Sequence, residues 1–192
     1  MHDRKFSPER MARLDRPDRT KEYDFPGIIS GIGITGGMTI ADIGAGTGFF
    51  SFPFSMAVGS KGKVMAVDIS QEMLDALRSK MDAQRVSNIE TVHSFEDKIP
   101  IPASSVDIAF MSNVFHELEG VGTLMEIKRI LKPSGKLAII DYRKKHEESG
   151  PPYHHRLSRQ TVKNTCSKTG FKFSEEFIPG SGSRYGLIFI KK

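Results

Sequence analysis

The sequence predicts an α/β domain: a doubly wound, mostly parallel sheet of seven strands, with helices on both faces and an antiparallel hairpin at its C-terminal end. Three observations lead there. Short apolar runs alternate with stretches of helical periodicity along the chain from Thr39 to Gly170. The runs are almost continuously apolar, as strands buried on both faces must be. The last two runs, FKFSEEFI and YGLIFI, flank the turn-forming stretch PGSGSR and so read as a hairpin.

The elements follow in order. Residues 1 to about 24 form a polar arm. FPGIISGIGI is read as a helix ending at Gly36-Gly37. TIADI (39–43) is a buried strand that runs into glycines, and FFSFPFSMAV (49–58) is a helix despite Pro53. KVMAVD (63–68) is the second strand. Ser70 caps the helix QEMLDALRSKMDA, whose Met73, Leu74, Leu77 and Met81 fall at helical spacing. IETVH (89–93) and VDIAFMS (106–112) are the third and fourth strands. GTLMEIKRIL (122–131) is a helix stopped by a Pro-Ser-Gly turn, before the fifth strand KLAIID (136–141). The last helix runs from Ser158 to about Thr169 and stops at Gly170. In such a sheet, ligands bind at the carboxyl ends of the strands where the strand order reverses. That places a site just after Ile43, Asp68, His93 and Ser112.

With 192 residues the chain fits one domain. A chain of this size buries about 70% of its unfolded surface and needs no disulfide or metal to fold. The single cysteine, Cys166, cannot form an intramolecular bridge and is read as a small helix residue facing the core. No run reaches the roughly 18 apolar residues of a membrane span. The N-terminus is charged throughout, so a cytoplasmic protein is expected. The net charge of +5 has two readings. It is a solvated surface if the basic residues stay interleaved with acids, as in RLDRPDRTKEYD, and a nucleic-acid footprint if they gather on one face.

The chemistry centres on Asp42-Ile43-Gly44-Ala45-Gly46-Thr47-Gly48. Glycines let backbone approach a ligand with no Cβ in the way, and the following helix points free N–H groups at it. A dinucleotide loop needs G-x-G-x-x-G, whereas this loop is G-x-G-x-G with Phe49 at the third glycine's place, which argues against a pyrophosphate ligand. Asp68 ends the second strand 22 residues past Gly46. A carboxylate there can accept hydrogen bonds from two ribose hydroxyls.

IADIGAGTGFFS followed by VMAVDISQEML resembles motifs I and II of the class I S-adenosylmethionine-dependent methyltransferases. HSFEDKIPIPASSVDIAFMSNVFHEL and EIKRILKPSGKLAIID resemble the family's later strand regions, so the likeness covers about residues 38 to 190. It is strongest toward small-molecule enzymes of the ubiquinone/menaquinone type, and GPPYHHRLSRQTVKNTCSKTGF is similar to that region in small members. The resemblance implies a Rossmann-like fold, S-adenosyl-L-methionine as cofactor and a small-molecule acceptor. It gives Gly44, Ala45, Gly46 and Gly48 the methionine and ribose part of the cofactor, Asp42 the loop and the cofactor's amino group, and Asp68 the ribose. Ile69 and Met73 flank the adenine. Many relatives carry Asp where Ser94 stands, bonding the adenine amino group, so here the resemblance gives that bond to the Ser94 hydroxyl or the backbone of Phe95. Ser112 and Asn113 sit near the methyl group.

A sulfonium methyl is already activated, so such an enzyme mainly positions the acceptor and excludes water. An oxygen or nitrogen acceptor can also need a base. The candidate is His116, four residues past the fourth strand with Glu117 beside it; its alternative is a histidine packed locally. His154 and His155 line an acceptor pocket or sit on a surface loop. The arm ends in Tyr23, Asp24 and Phe25, and is read either as a lid over the acceptor or as a tail without a role. SNVF after the fourth strand is not the Asn/Asp-Pro-Pro-Tyr/Phe pattern of enzymes that methylate planar amino groups. One cysteine cannot supply the thiol set of arsenite methyltransferases, and no acid cluster follows the fourth strand, so no metal is expected. The rival readings are an RNA or protein methyltransferase, a non-catalytic S-adenosylmethionine-binding module and a nicotinamide oxidoreductase.

Overall fold

A computed structural model describes residues 16–148 and 150–192. The part of the arm before residue 16 therefore lies outside the described residues. The elements are a 3-10 turn (Pro17–Glu22), α1 (Phe25–Ile32), β1 (Thr39–Ile43), α2 (Ser51–Val58), β2 (Lys63–Asp68), α3 (Gln71–Gln84), β3 (Ile89–His93) and β4 (Val106–Ser112). A second 3-10 turn (Phe115–Glu117), α4 (Gly122–Ile130), β5 (Leu131–Tyr142), α5 (Arg159–Lys168), β6 (Phe171–Phe177) and β7 (Arg184–Lys191) follow.

The seven strands form one sheet in the order β3-β2-β1-β4-β5-β7-β6. The pairings from β3 to β5 are parallel, and β7 runs antiparallel to both β5 and β6. This is the Rossmann-like sheet expected from the sequence. Its order reverses between β1 and β4, where Ile43 is in register with Val67 on one side and Met111 on the other.

Successive strand residues enter opposite layers. On one face Ala41, Ile43, Ala109, Met111, Leu137 and Ile139 pack with Leu124 and Ile127 of α4 and with Val162 and Cys166 of α5. On the other, Ile40, Ile108, Phe110, Ala138 and Ile140 pack with Ile28 and Ile32 of α1, Phe54 and Val58 of α2, and Leu77 of α3. Cys166 is thus the core residue expected, and burial pushes its thiol up to about 12. Among the described residues no helix is long and apolar enough to cross a membrane.

Three boundaries differ from expectation. The first helix ends at Ile32 rather than at Gly36-Gly37, because Gly33 takes the left-handed conformation (φ +80°) and Ile34 N–H turns back to the Ile29 carbonyl. Phe49 and Phe50 stay outside α2, which starts at Ser51. Pro53 is then within the first turn, where its missing N–H has no intrahelical partner to lose. The helix before the Pro-Ser-Gly turn stops at Ile130. Leu131 already pairs with Val106, and the turn forms an irregularity inside β5 before Lys136 rejoins β4 opposite Ile108.

Candidate functional site

The carboxyl ends of β1, β2, β4 and β5 open into one cavity of about 1230 Å³. It takes in every expected cofactor-binding residue except Gly48, and the candidate base His116. The loop after β1 is held from behind, since Gly44 and Ala45 donate N–H groups to the Val67 carbonyl at 2.8 and 3.0 Å. Gly44 has φ +71°, and a Cβ on it would strike the side chain of Val114. Gly48 faces away, and a Cβ there would strike Leu77 of α3. Its glycine serves close packing of the loop on the helix behind it.

Asp68 ties this loop to the next. One carboxylate oxygen accepts the Gly46 N–H at 2.7 Å and the other accepts the Ser70 N–H at 2.9 Å. Burial raises its pKa, against the pull of those hydrogen bonds. Asp42 is buried beneath the same loop and accepts the Ser51 hydroxyl at 2.6 Å. Burial pushes its carboxyl up to about 7, opposed by the Ser51 hydrogen bond. On the cavity wall, Ile69 and Phe95 are 44% and 62% exposed, large for apolar side chains, whereas Met73 is buried. Ser94 donates its N–H to the Asp68 carbonyl at 2.9 Å, which joins the ends of β2 and β3.

Past β4 the chain turns sharply at Asn113, which adopts φ +58°. Its N–H donates to the Ile140 carbonyl at 2.8 Å, and its side-chain amide donates to the Tyr23 hydroxyl at 3.0 Å. Three residues on, His116 is 8% exposed and Asp141 only 1%. His116 Nδ1 lies 2.8 Å from Asp141 Oδ1, and its backbone N–H donates to Asp141 Oδ2 at 3.1 Å. A carboxylate only accepts, so Nδ1 carries the proton and Nε2 is the basic nitrogen. Burial works against charge on His116, but the hydrogen bond and negative charge of Asp141 outweigh it and raise the imidazole pKa.

Sequence reasoning missed Asp141. The signal was present: KLAIID is an apolar strand that ends on a carboxylate, as KVMAVD is. It also missed Arg184 of β7. That guanidinium donates to Glu22 at 2.9 Å, to the Tyr142 hydroxyl at 2.7 Å and to the Asn113 side chain at 3.3 Å. It stacks over the rings of Tyr23 and Tyr142, at 4.7 and 4.5 Å from their centroids. The described part of the arm thus sits on the cavity, with Tyr23 buried edge-on against Phe50 at 5.0 Å. Of the two loop histidines, His155 lines the cavity and His154 does not. Among the described residues no three histidine, cysteine or acidic side chains are grouped as a metal site would need.

Comparison with known proteins gives this arrangement a family. The methyltransferase domain family matches residues 40–135, half of the chain. The ubiquinone/menaquinone biosynthesis C-methyltransferase of Pseudomonas entomophila is 35% identical over 117 residues, which are 58% of this chain and 44% of that protein. The corresponding enzyme of Shewanella oneidensis is 33% identical over 114 residues, with coverage of 58% and 45%. The match therefore spans less than half the length of these curated relatives. A solved SAM-dependent methyltransferase from Aquifex aeolicus is 35% identical, with a TM-score of 0.92 over 97% of this chain and 99% of that one. A putative type 11 methyltransferase from Sulfolobus solfataricus is 29% identical, with a TM-score of 0.71 and coverage of 93% and 94%. The Aquifex protein is dependent on S-adenosylmethionine, and that cofactor sets aside the nicotinamide reading for this chain. With its glycine loop, its strand-end Asp68 and a fold shared with the Aquifex protein over 97% of its length, the chain belongs to the S-adenosylmethionine-dependent methyltransferases.

Proposed function

We propose that the chain transfers a methyl group from S-adenosylmethionine to a small-molecule acceptor, and that His116 Nε2 takes the proton the acceptor gives up. The observation that carries this reading is that one cavity is lined by both Asp68 and His116, whose Nδ1 is held by the buried Asp141.

The residues fit the cofactor. The two oxygens of Asp68 offer about four acceptor positions, shared among the backbone N–H groups of Gly46, Ser70 and Ile69. The capacity that remains suits a ribose hydroxyl. Ile69 and Phe95 offer apolar surface to a flat base, beside Met73 and the polar groups of Ser94. Gly44, Ala45 and Gly46 present bare backbone, and Asp42 offers a carboxyl to an amino group. Bound there, the cofactor supplies an activated methyl group on a sulfonium. Ser112 and Asn113 hold the floor where acceptor and methyl meet, and Arg16, Arg19 and Glu22 of the arm wall it from water. Asp141 keeps the proton of His116 on Nδ1, so that Nε2 can act as base.

The named relatives point to a small acceptor, since the Pseudomonas and Shewanella enzymes are C-methyltransferases of quinone biosynthesis. The surface charges agree. Lys63 pairs with Glu90, Lys132 with Asp107, and Arg159 and Lys163 with Glu176, which favours a solvated surface over a nucleic-acid footprint. A cytoplasmic location belongs to this proposal and is supported by the lone buried thiol. The test is an acceptor screen with purified protein and labelled S-adenosylmethionine, comparing metabolite pools with RNA and protein extracts. Label is expected in metabolites; label confined to RNA or protein would overturn the small-molecule reading.

A further inference from the structure

We propose that Arg19, on the 3-10 turn of the arm, binds the α-carboxylate of the cofactor's methionine end, so that the arm completes the cofactor site rather than covering only the acceptor. The inference rests on S-adenosylmethionine binding in the cavity described above.

Four observations carry it. Arg19 lines that cavity. Its guanidinium carbon lies over Phe49, 3.8 Å from the ring centroid, and Phe49 directly follows the glycine loop. The arm therefore sets its cation at the end of the loop under which Asp42 is buried. Glu22, the arm's acid on this wall, is engaged elsewhere, by Arg16 at 3.0 Å and Arg184 at 2.9 Å. A guanidinium meets a carboxylate in a two-pronged geometry that no ammonium can match.

The electrostatics point the same way. An amino-acid end is a zwitterion, so its pocket should offer one negative and one positive group close together. Asp42 and Arg19 line the same cavity and offer such a pair; burial raises the Asp42 carboxyl, and Arg19 is among the groups that favour its charge. Burial and the neighbouring cation Arg184 both disfavour charge on Arg19, while the Tyr23 hydroxyl supports it. An anionic ligand at this spot would relieve that repulsion. The cation–π contact with Phe49 helps hold the guanidinium in place before any ligand arrives.

The experiment is calorimetry on the full chain with two ligands. S-adenosylhomocysteine carries the nucleoside and the amino-acid end, and 5′-methylthioadenosine carries the nucleoside alone. Arg19→Gln is expected to weaken S-adenosylhomocysteine binding by about 10- to 100-fold, the scale of a lost hydrogen bond to a charged group. It is expected to leave 5′-methylthioadenosine within about twofold, and Arg19→Lys should recover part of the loss by restoring the charge. The unliganded melting temperature of each variant reports folding separately. An equal change for both ligands, or none for either, would overturn the role of Arg19 while leaving the cofactor assignment standing. If the wild-type chain bound neither ligand, the assignment itself would fall, and this inference with it.

Discussion

His116 and Asp141 meet twice: the imidazole Nδ1 lies 2.8 Å from one carboxylate oxygen, and the backbone N–H of the same histidine donates to the other at 3.1 Å. The double contact fixes both the ring and the turn that carries it. It also sets a pH dependence. The imidazole pKa is raised above its ordinary value of about 6.5, so the basic form is present only above that raised value. If His116 is the base, turnover should climb as pH rises through it. Asp141→Asn removes the negative charge and leaves burial to act, so the climb should move to lower pH while the plateau falls. His116→Ala should cut kcat by about 10²–10⁴ with S-adenosylmethionine affinity intact. Near-normal turnover in His116→Ala would return the pair to a purely structural role.

Asp68 is expected to dominate cofactor affinity. Asp68→Ala removes the acceptor for the ribose and also the bridge from Gly46 to Ser70. Binding should weaken by about 10- to 100-fold, from hydrogen bonds worth about 1.5–3 kcal/mol to a charged partner. Calorimetry checks it, and an unchanged affinity would remove Asp68 from the site.

Asp42 should make the unliganded protein less stable as pH rises. Its carboxyl is pushed up to about 7 in the folded chain, against 3.8 when free. A raised acid binds more protons folded than unfolded across that window, so stability is greatest below it and falls as pH climbs through it. Asp42→Asn keeps the size and an acceptor for Ser51 without the charge. It should exceed wild type by roughly 1–4 kcal/mol at pH 8, and by less at pH 5. Urea midpoints at the two pH values decide; a gap that ignores pH would show that burial of the charge is not the cause.

How much of this was legible in the sequence depended on the range of the interaction. β1, β2, β3 and β4 have the bounds read from the sequence; for β1, β2 and β4 burial of the strand leaves few polar residues to blur the ends. Asp68 stood out because it is the polar end of such a run. Asp141 ends a run in the same way, but its meaning depends on the β4–β5 register, which sets Ser112 beside Ile140 and so brings His116 to it. Arg184 was beyond reach: it is 71 residues from Asn113 and 162 from Glu22, and no local pattern announces such a meeting. The first helix was overrun for a local reason. Gly33 and Gly37 both take positive φ, and periodicity alone does not say which of them stops the helix.

Metal removal should leave the reaction unchanged. The acids on the cavity wall are not grouped with other ligating side chains among the described residues, and an activated methyl needs no Lewis acid to leave. Once an acceptor is known, turnover with EDTA should match turnover without it. Loss with EDTA and recovery with Mg²⁺ would refute this.

The arm should act on the reaction more than on the fold. Its core contribution is Tyr23, whose ring packs on Phe50, and α1 begins only two residues later, capped by Asp24 through the Gly27 N–H at 3.0 Å. Deleting residues 1–20 keeps those contacts and the Glu22–Arg184 pair, but removes Arg16 and Arg19 from the cavity wall. Unfolding midpoints should therefore change little. A lid that excludes water from the transfer should, when removed, lower kcat and raise the KM for acceptor. The truncated chain should also bind S-adenosylhomocysteine more weakly while holding 5′-methylthioadenosine, because Arg19 goes with the deleted segment. Arg19→Gln separates the two effects: it should reproduce the loss in cofactor binding without the full rise in acceptor KM. A truncated chain with full activity would mean that the arm neither covers the acceptor nor completes the cofactor site. If the deletion instead abolished only a salt-dependent binding to RNA, the arm would be a nucleic-acid clamp, and the acceptor would have to be sought there.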